Sequence, residues 1–294
     1  MERLRIHNGD IMLDCRAAGA ESGELVILLH GFPECWTAWR QQIQPLADAG
    51  YRVVVPDMRG YGCSSRPGHH KRYRLDELIT DIDAIRRYCG QSHFHLGGHD
   101  WGAAVAWWYA LHHPQRLASL TIVNVPHPLT FLETLRSSPL QLLKSWYIFF
   151  FQLPVIPEWL IKRGNYALLR LTLKKTSNKG AFADEDLRYL LHSWQQPGSV
   201  RAMVNYYRAL LRNIVRPAQP QITVPTRILW GERDIALSSS MASNSLQYLH
   251  NGELISYPDG SHWLTHDLPA EVSARLLEHI SRHPVATESA ADVL

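Results

Sequence analysis

The sequence predicts an α/β fold: a mostly parallel central sheet, helices on both of its faces, and a helical segment inserted between two groups of strands. Three observations carry this. Short β-rich apolar runs alternate with longer helical patterns through the first half of the chain; strand signals vanish over 128–216; and they resume afterwards.

The runs at 25–29, 52–55, 94–96 and 120–123 are apolar, rich in Val, Ile and Leu, and end at Gly, Asp or Pro, as buried strands do. Between them, 75–88 places Leu75, Leu78, Ile79, Ile82 and Ile85 at helical spacing, and 102–112 is small and apolar enough for a buried helix. Strands alternating with helices imply parallel pairing through crossovers. Over 128–216, Leu, Tyr, Trp and Phe abound, and helix-like segments are broken at Pro154, Pro157, Gly164, Gly180 and Pro197. This reads as a helical cap domain. Strand signals at 227–230 and 253–257 and a helix at 270–280 return the chain to a core made of 1–127 and 217–294. Its last residues, 284–294, are small and polar and are expected to fray.

With 294 residues, one such core with an inserted cap accounts for the length. The formal charge of +3 comes without a basic stripe interleaved with aromatics, which argues against nucleic acid as a partner. Cys15, Cys35, Cys63 and Cys89 form no CxxC pair, there is no HExxH, and the adjacent pairs His69-His70 and His112-His113 do not suit one helical ligand face. Neither a metal nor a cofactor is expected. The apolar stretch 140–161 is interrupted by Lys144, Gln152, Pro154, Pro157 and Glu158, so no membrane insertion is expected. The opening residues lack the apolar run of a secretion signal, and a cytoplasmic location is expected. Oligomeric state stays open, because an apolar cap suits a second copy in a homodimer, a membrane surface or substrate alone.

Gly98-His99-Asp100-Trp101-Gly102 lies between a strand and a helix, the setting of a nucleophile elbow. Its middle residue is Asp where acyl hydrolases carry Ser. A carboxylate with an ordinary pKa of about 3.9 is ionised at neutral pH and needs no base to attack an sp3 carbon, giving an alkyl ester. Taken alone, the motif suits Asp100 equally well as a helix N-cap. Further along come Asp234, after the strand at 227–230, and His262, after the strand at 253–257. Nucleophile, acid, histidine is the chain order of the α/β-hydrolase fold. Asp234 would then orient His262, which takes a proton from water. Asp259 and Asp267 are rival acids whose nearness to His262 favours turn or cap roles. After the first strong strand, His30-Gly31-Phe32-Pro33-Glu34 occupies the place where half of an oxyanion hole is built, so the amides of Phe32 and Trp101 are the expected donors. Pro33 fixes a turn there, with a cis bond admissible.

Four motifs together resemble the epoxide hydrolase family of the α/β-hydrolase superfamily: His30-Gly31-Phe32-Pro33-Glu34, Asp57-Met58-Arg59-Gly60-Tyr61-Gly62, the Asp100 elbow, and Gly260-Ser261-His262-Trp263. The match runs from about Glu24 to Pro269. Cys63 stands where that family often has Asp, and Ser261 where Gly is frequent. The resemblance implies a small-molecule epoxide and water as substrates, and two cap tyrosines that hold the epoxide oxygen. Tyr147, in Trp146-Tyr147-Ile148-Phe149, matches the first and Tyr207 the second. Neighbouring residues of a helix point apart, so Tyr206 and Tyr207 should not both face the site. His30, Pro33, Trp101 and Trp263 are the substrate contacts expected near the nucleophile. A haloalkane dehalogenase shares the Asp nucleophile and the Asp-Trp pair, but the two tyrosines suit oxygen better than halide. A non-catalytic receptor for a small ligand keeps the same pocket and needs none of the reactive groups.

Overall fold

In a computed structural model, the described residues are 1–213 and 217–285. The expected cap boundary at 216 and the expected frayed end beyond 285 fall outside them. The chain begins with a hairpin, β1 (Glu2–Asn8) and β2 (Ile11–Ala18), followed by β3 (Leu25–Leu29), α1 (Arg40–Asp48), β4 (Arg52–Pro56), α2 (Leu75–Tyr88), β5 (Phe94–His99), α3 (Trp101–His112) and β6 (Leu117–Val123). Helices α4 (Pro128–Ser137), α5 (Pro139–Lys144), α6 (Trp146–Phe150), α7 (Ile156–Thr176), α8 (Asp184–Gln195) and α9 (Ser199–Arg212) come next. The sheet then resumes with β7 (Thr226–Gly231), α10 (Ser240–Ser245), β8 (Gly252–Tyr257), α11 (Leu264–Asp267) and α12 (Pro269–Ser281).

The eight strands form one sheet in the order β1-β2-β4-β3-β5-β6-β7-β8. Only β2 runs against the other strands, antiparallel to both β1 and β4; from β4 to β8 every pairing is parallel. Every residue of β3, β4, β5 and β7 is buried, which explains the wholly apolar sequence of β3 and the apolar runs within the other three. Alternate residues of β3 serve opposite layers. Leu25, Ile27 and Leu29 join the layer that holds residues of α2 and α3, while Val26 and Leu28 join the layer that holds Ile43 of α1 and Val272 of α12. Each such side chain contributes roughly 1.5–3 kcal/mol when fully buried.

The N-terminal hairpin is an element the sequence reading lacked, since that reading starts its sheet at 25. The physical reason is exposure. β1 is an edge strand whose Glu2, Arg3, Arg5 and His7 blur the alternation, and β2 buries Asp14 between the guanidinium groups of Arg3 and Arg16. Elsewhere strand and helix limits agree to within a few residues. Within α7, Arg163–Tyr166 leave helical geometry and Gly164, Asn165 and Tyr166 take positive φ, so the break expected at Gly164 divides two helical pieces.

Candidate active site

The turn from β5 into α3 is as tight as a turn can be: His99 is the last residue of the strand, Trp101 the first of the helix, and Asp100 lies between them with φ 51° and ψ −123°. Non-glycine residues rarely adopt such angles and hold them only where the surroundings enforce them. Here a Cβ on Gly102 would come within 2.2 Å of the Leu29 carbonyl oxygen, so helix and strand can approach this closely only with glycine there. The Asp100 side chain makes no cap hydrogen bond to α3. Its Oδ1 instead accepts from the Phe32 N–H at 2.6 Å, which decides against the N-cap alternative.

His262 and Asp234 reach Asp100 from the ends of β8 and β7. The His262 Nε2 lies 3.5 Å from Asp100 Oδ2, and its Nδ1 lies 2.7 Å from Asp234 Oδ2. Asp234 also accepts from the amides of Ala236 and Leu237 at 2.8 and 2.9 Å and from the side-chain amide of Asn124 at 3.0 Å. Burial opposes charge on His262, but the two carboxylates outweigh it and raise its pKa to about 10. Burial alone would likewise raise both carboxyls. The hydrogen bonds and charge of His262 hold Asp100 and Asp234 below the ordinary value instead. Asp267 accepts from the amides of Ser261 and Asn178, so it orders the histidine loop rather than the imidazole.

Beside Asp100 opens a cavity of about 230 Å³, lined by Asp100, Trp101, Tyr147, Ile148, Tyr207, Leu210 and Phe131 among others, mostly apolar. The side chain of Asp100 keeps 20% of its exposure, enough to be reached from this space. Tyr147 of α6 and Tyr207 of α9 meet edge to face with centroids 5.7 Å apart. Burial, reinforced by the Asp100 charge, pushes both phenols up, so each stays a hydrogen-bond donor at neutral pH. Tyr206 also borders the cavity, but its hydroxyl donates to the Arg59 carbonyl at 2.7 Å and is spent there.

Three expected substrate contacts are corrected. His30 is fully buried, its Nε2 accepts from the Met58 amide and its Nδ1 lies 3.1 Å from the Gly31 carbonyl, so both ring nitrogens serve the β3 loop. Pro33 is buried, forms a cis bond with Phe32, and accepts through its carbonyl from the Trp194 indole. Trp263 is turned toward His99 and Phe182, and its indole donates to Thr176 at 2.7 Å. Of the four, only Trp101 lines the cavity.

Other residues act behind the site and escaped the sequence reading. Asn124, with φ 51° at the end of β6, bonds both Asp234 and the Gly231 amide; its only signal was an Asn at a strand end. Glu34 is fully buried, 2.6 Å from His266 and 3.3 Å from His99, and His99 Nε2 donates to the His262 carbonyl at 2.8 Å. Burial would raise the Glu34 carboxyl, yet the two histidines hold it far below the carboxylate range. The backbone of His262 is thereby tied to the β3 loop. A lone Glu after Pro carries no signal of this.

The protein family described as alpha/beta hydrolase fold matches residues 24–268. The AB hydrolase superfamily protein YfhM of Bacillus subtilis (strain 168) is 40% identical over 275 residues, which cover 94% of this chain and 96% of that protein. Epoxide hydrolase 4 of Homo sapiens is 37% identical over 272 residues, covering 90% of this chain and 75% of the human one. Among solved structures, the epoxide hydrolase of Bacillus megaterium in complex with an inhibitor superposes with a TM-score of 0.87 at 29% identity, over 95% of this chain and all of that one. With its eight-stranded sheet, its elbow and these relatives, the chain is a hydrolase and belongs to the epoxide hydrolase family of the α/β-hydrolase superfamily.

Proposed function

We propose that this protein opens an apolar aryl or alkyl epoxide to a vicinal diol through an ester on Asp100. Residues 1–127 and 217–294 would act as the catalytic core and 128–216 as the cap. The observation that carries the reading is one cavity in which a reachable carboxylate faces two phenol donors, with a histidine–carboxylate pair behind the carboxylate. Since Oδ1 is held by the Phe32 amide, Oδ2 is the free nucleophilic oxygen. It attacks the epoxide carbon, the C–O bond breaks, and the departing oxygen takes a proton from Tyr147 or Tyr207.

Ester formation removes one of the two negative charges that raise the His262 pKa. The imidazolium then gives up its proton more readily, which makes good the one the phenol donated to the epoxide oxygen, and the neutral imidazole is a competent base when a base is required. It takes a proton from water, which attacks the ester carbonyl. Oδ1 becomes the oxyanion, already seated at the Phe32 amide with the Trp101 amide beside it. Collapse expels the diol oxygen, which takes the second proton of the water, restores the Asp100 carboxylate, and leaves His262 as the imidazolium of the resting site. No partner beyond epoxide and water is required.

The test is a single turnover of excess enzyme with styrene oxide in ¹⁸O-labelled water, followed by mass analysis of the diol and the peptide bearing Asp100. The expected result is unlabelled diol with label in Asp100. Label passing straight from water into the diol would overturn the ester route. Release of halide from a chloroalkane without any turnover of epoxides would instead indicate a dehalogenase.

A further inference from the structure

Sixteen large hydrophobic side chains are exposed among the described residues, and twelve of them lie between Leu140 and Leu171. Trp146, Val155 and Trp159 are 59%, 73% and 56% exposed. Lining the catalytic cavity does not explain them. On the short helix α6 it is Tyr147 and Ile148 that line the cavity, while Trp146 and Phe149 are left to solvent. Twelve such side chains within one stretch of 32 residues point to a contact region on α5, α6 and α7.

The charge of the same segment selects the partner. Residues 128–180 hold eight Lys and Arg against two Glu, a net of +6 within a chain whose formal total is +3. Neither acid offsets its neighbours: Glu158 pairs with Arg208 of α9 at 2.6 Å, and Glu133 accepts from the Tyr248 hydroxyl at 2.7 Å. Of the eight cations, only Lys174 has a carboxylate partner among the described residues, Asp184 at 3.6 Å. The Arg163 guanidinium lies 5.0 Å over the Trp159 ring, joining cation and aromatic in one surface element.

Two copies meeting through this segment would set like charge against like charge. An anionic bilayer satisfies both features, because aromatic and aliphatic tips enter the interface while Lys and Arg extend to the phosphates. Among the described residues no helix is long and apolar enough to cross a membrane, so the contact is peripheral.

We propose that α5, α6, α7 and their connecting loop dock this protein on an anionic lipid surface, with Trp146 and Trp159 as anchors and Lys162 and Lys175 as headgroup contacts. This does not depend on the epoxide reading. Docking places the cavity wall of α6 beside a phase in which apolar small molecules concentrate.

The test uses the full chain and vesicles of phosphatidylcholine with or without about 30% phosphatidylglycerol. We expect at least about tenfold stronger partitioning onto the anionic vesicles, weakened by raising salt from about 0.05 to 0.5 M. Both the W146S/W159S and the K162E/K175E variants should lose about fivefold or more of it while keeping the native thermal transition. Should a variant fail to fold, quenching of wild-type tryptophan fluorescence by brominated acyl chains supplies the same test. Absence of preference for anionic vesicles, undiminished binding by the tryptophan variant, or absence of quenching overturns the proposal. So does a lipid-free homodimer, seen by sedimentation velocity, that W146S/W159S dissociates.

Discussion

Replacing His262 by Gln should divide the reaction into its halves. On the proposed ester route Asp100 keeps its amide donor at Phe32, so alkylation should proceed, while the water would lose its base and turnover should fall by about 10²–10⁴. Intact-mass spectrometry after mixing with an epoxide should show enzyme plus one substrate mass; a variant that carries no adduct and still turns over would contradict the assignment. Asn124 tests the support behind the acid. In N124A the Gly231 amide loses its acceptor and Asp234 one of its donors, both buried, and urea denaturation should show a loss of about 1–3 kcal/mol. The contrast between these residues explains what could be read in advance. Asp100, Asp234 and His262 announce themselves by type, order and place after strands, whereas Asn124, Glu34 and His99 act through hydrogen bonds between segments remote in sequence.

At the scale of elements, the β5–α3 turn makes the site, and its geometry depends on what fits between helix and strand. A Cβ at Gly102 meets the Leu29 carbonyl, so G102A must displace α3 or β3, with a cost of about 1–3 kcal/mol or more. Thermal unfolding should show the lower transition, and activity should fall further than stability, because the Phe32 amide hangs from the same strand end and must keep 2.6 Å to Asp100. A G102A protein with native melting and full activity would remove this account of the elbow. Strands β3 to β7 were legible because each holds a buried apolar run bounded by turn residues, and β8 because it follows β7 in the same alternation. The β1–β2 hairpin was not, because its pairs are edge contacts and its buried Asp14 is explained only by Arg3 and Arg16 beside it.

Across the whole molecule, Asp100, Asp234 and His262 form a charge cluster that should govern the response to pH. The carboxyls are held below their ordinary 3.8, so their contribution to stability is present above that value and lost as pH falls through their folded values. His262 is raised from 6.5 to about 10, so its contribution is complete below 6.5 and lost as pH rises toward 10. The triad therefore stabilises most between about 3.8 and 6.5, and a D234N/H262Q variant should show a flatter dependence of Tm on pH than the wild type. Removing one carboxylate in D100N should lower the pH at which the His262 imidazole titrates by NMR. An unchanged titration would mean that Asp100 does not supply the field assumed for base activation.

By itself, the sequence determined the alternation of strands and helices, the interruption by a helical segment, and the reactive residue types in their order. These follow from periodicity and from turn chemistry, which are local. Only the tertiary structure decided that His30, Pro33 and Trp263 support the loops rather than touch the cavity, that Tyr207 and not Tyr206 offers a free hydroxyl, and that Asn124 and Glu34 hold the triad from behind. Those outcomes depend on which buried donor finds which acceptor, and most buried polar groups find one. The pairing is settled by chain segments up to 232 residues apart, as between Glu34 and His266, and no local pattern records it.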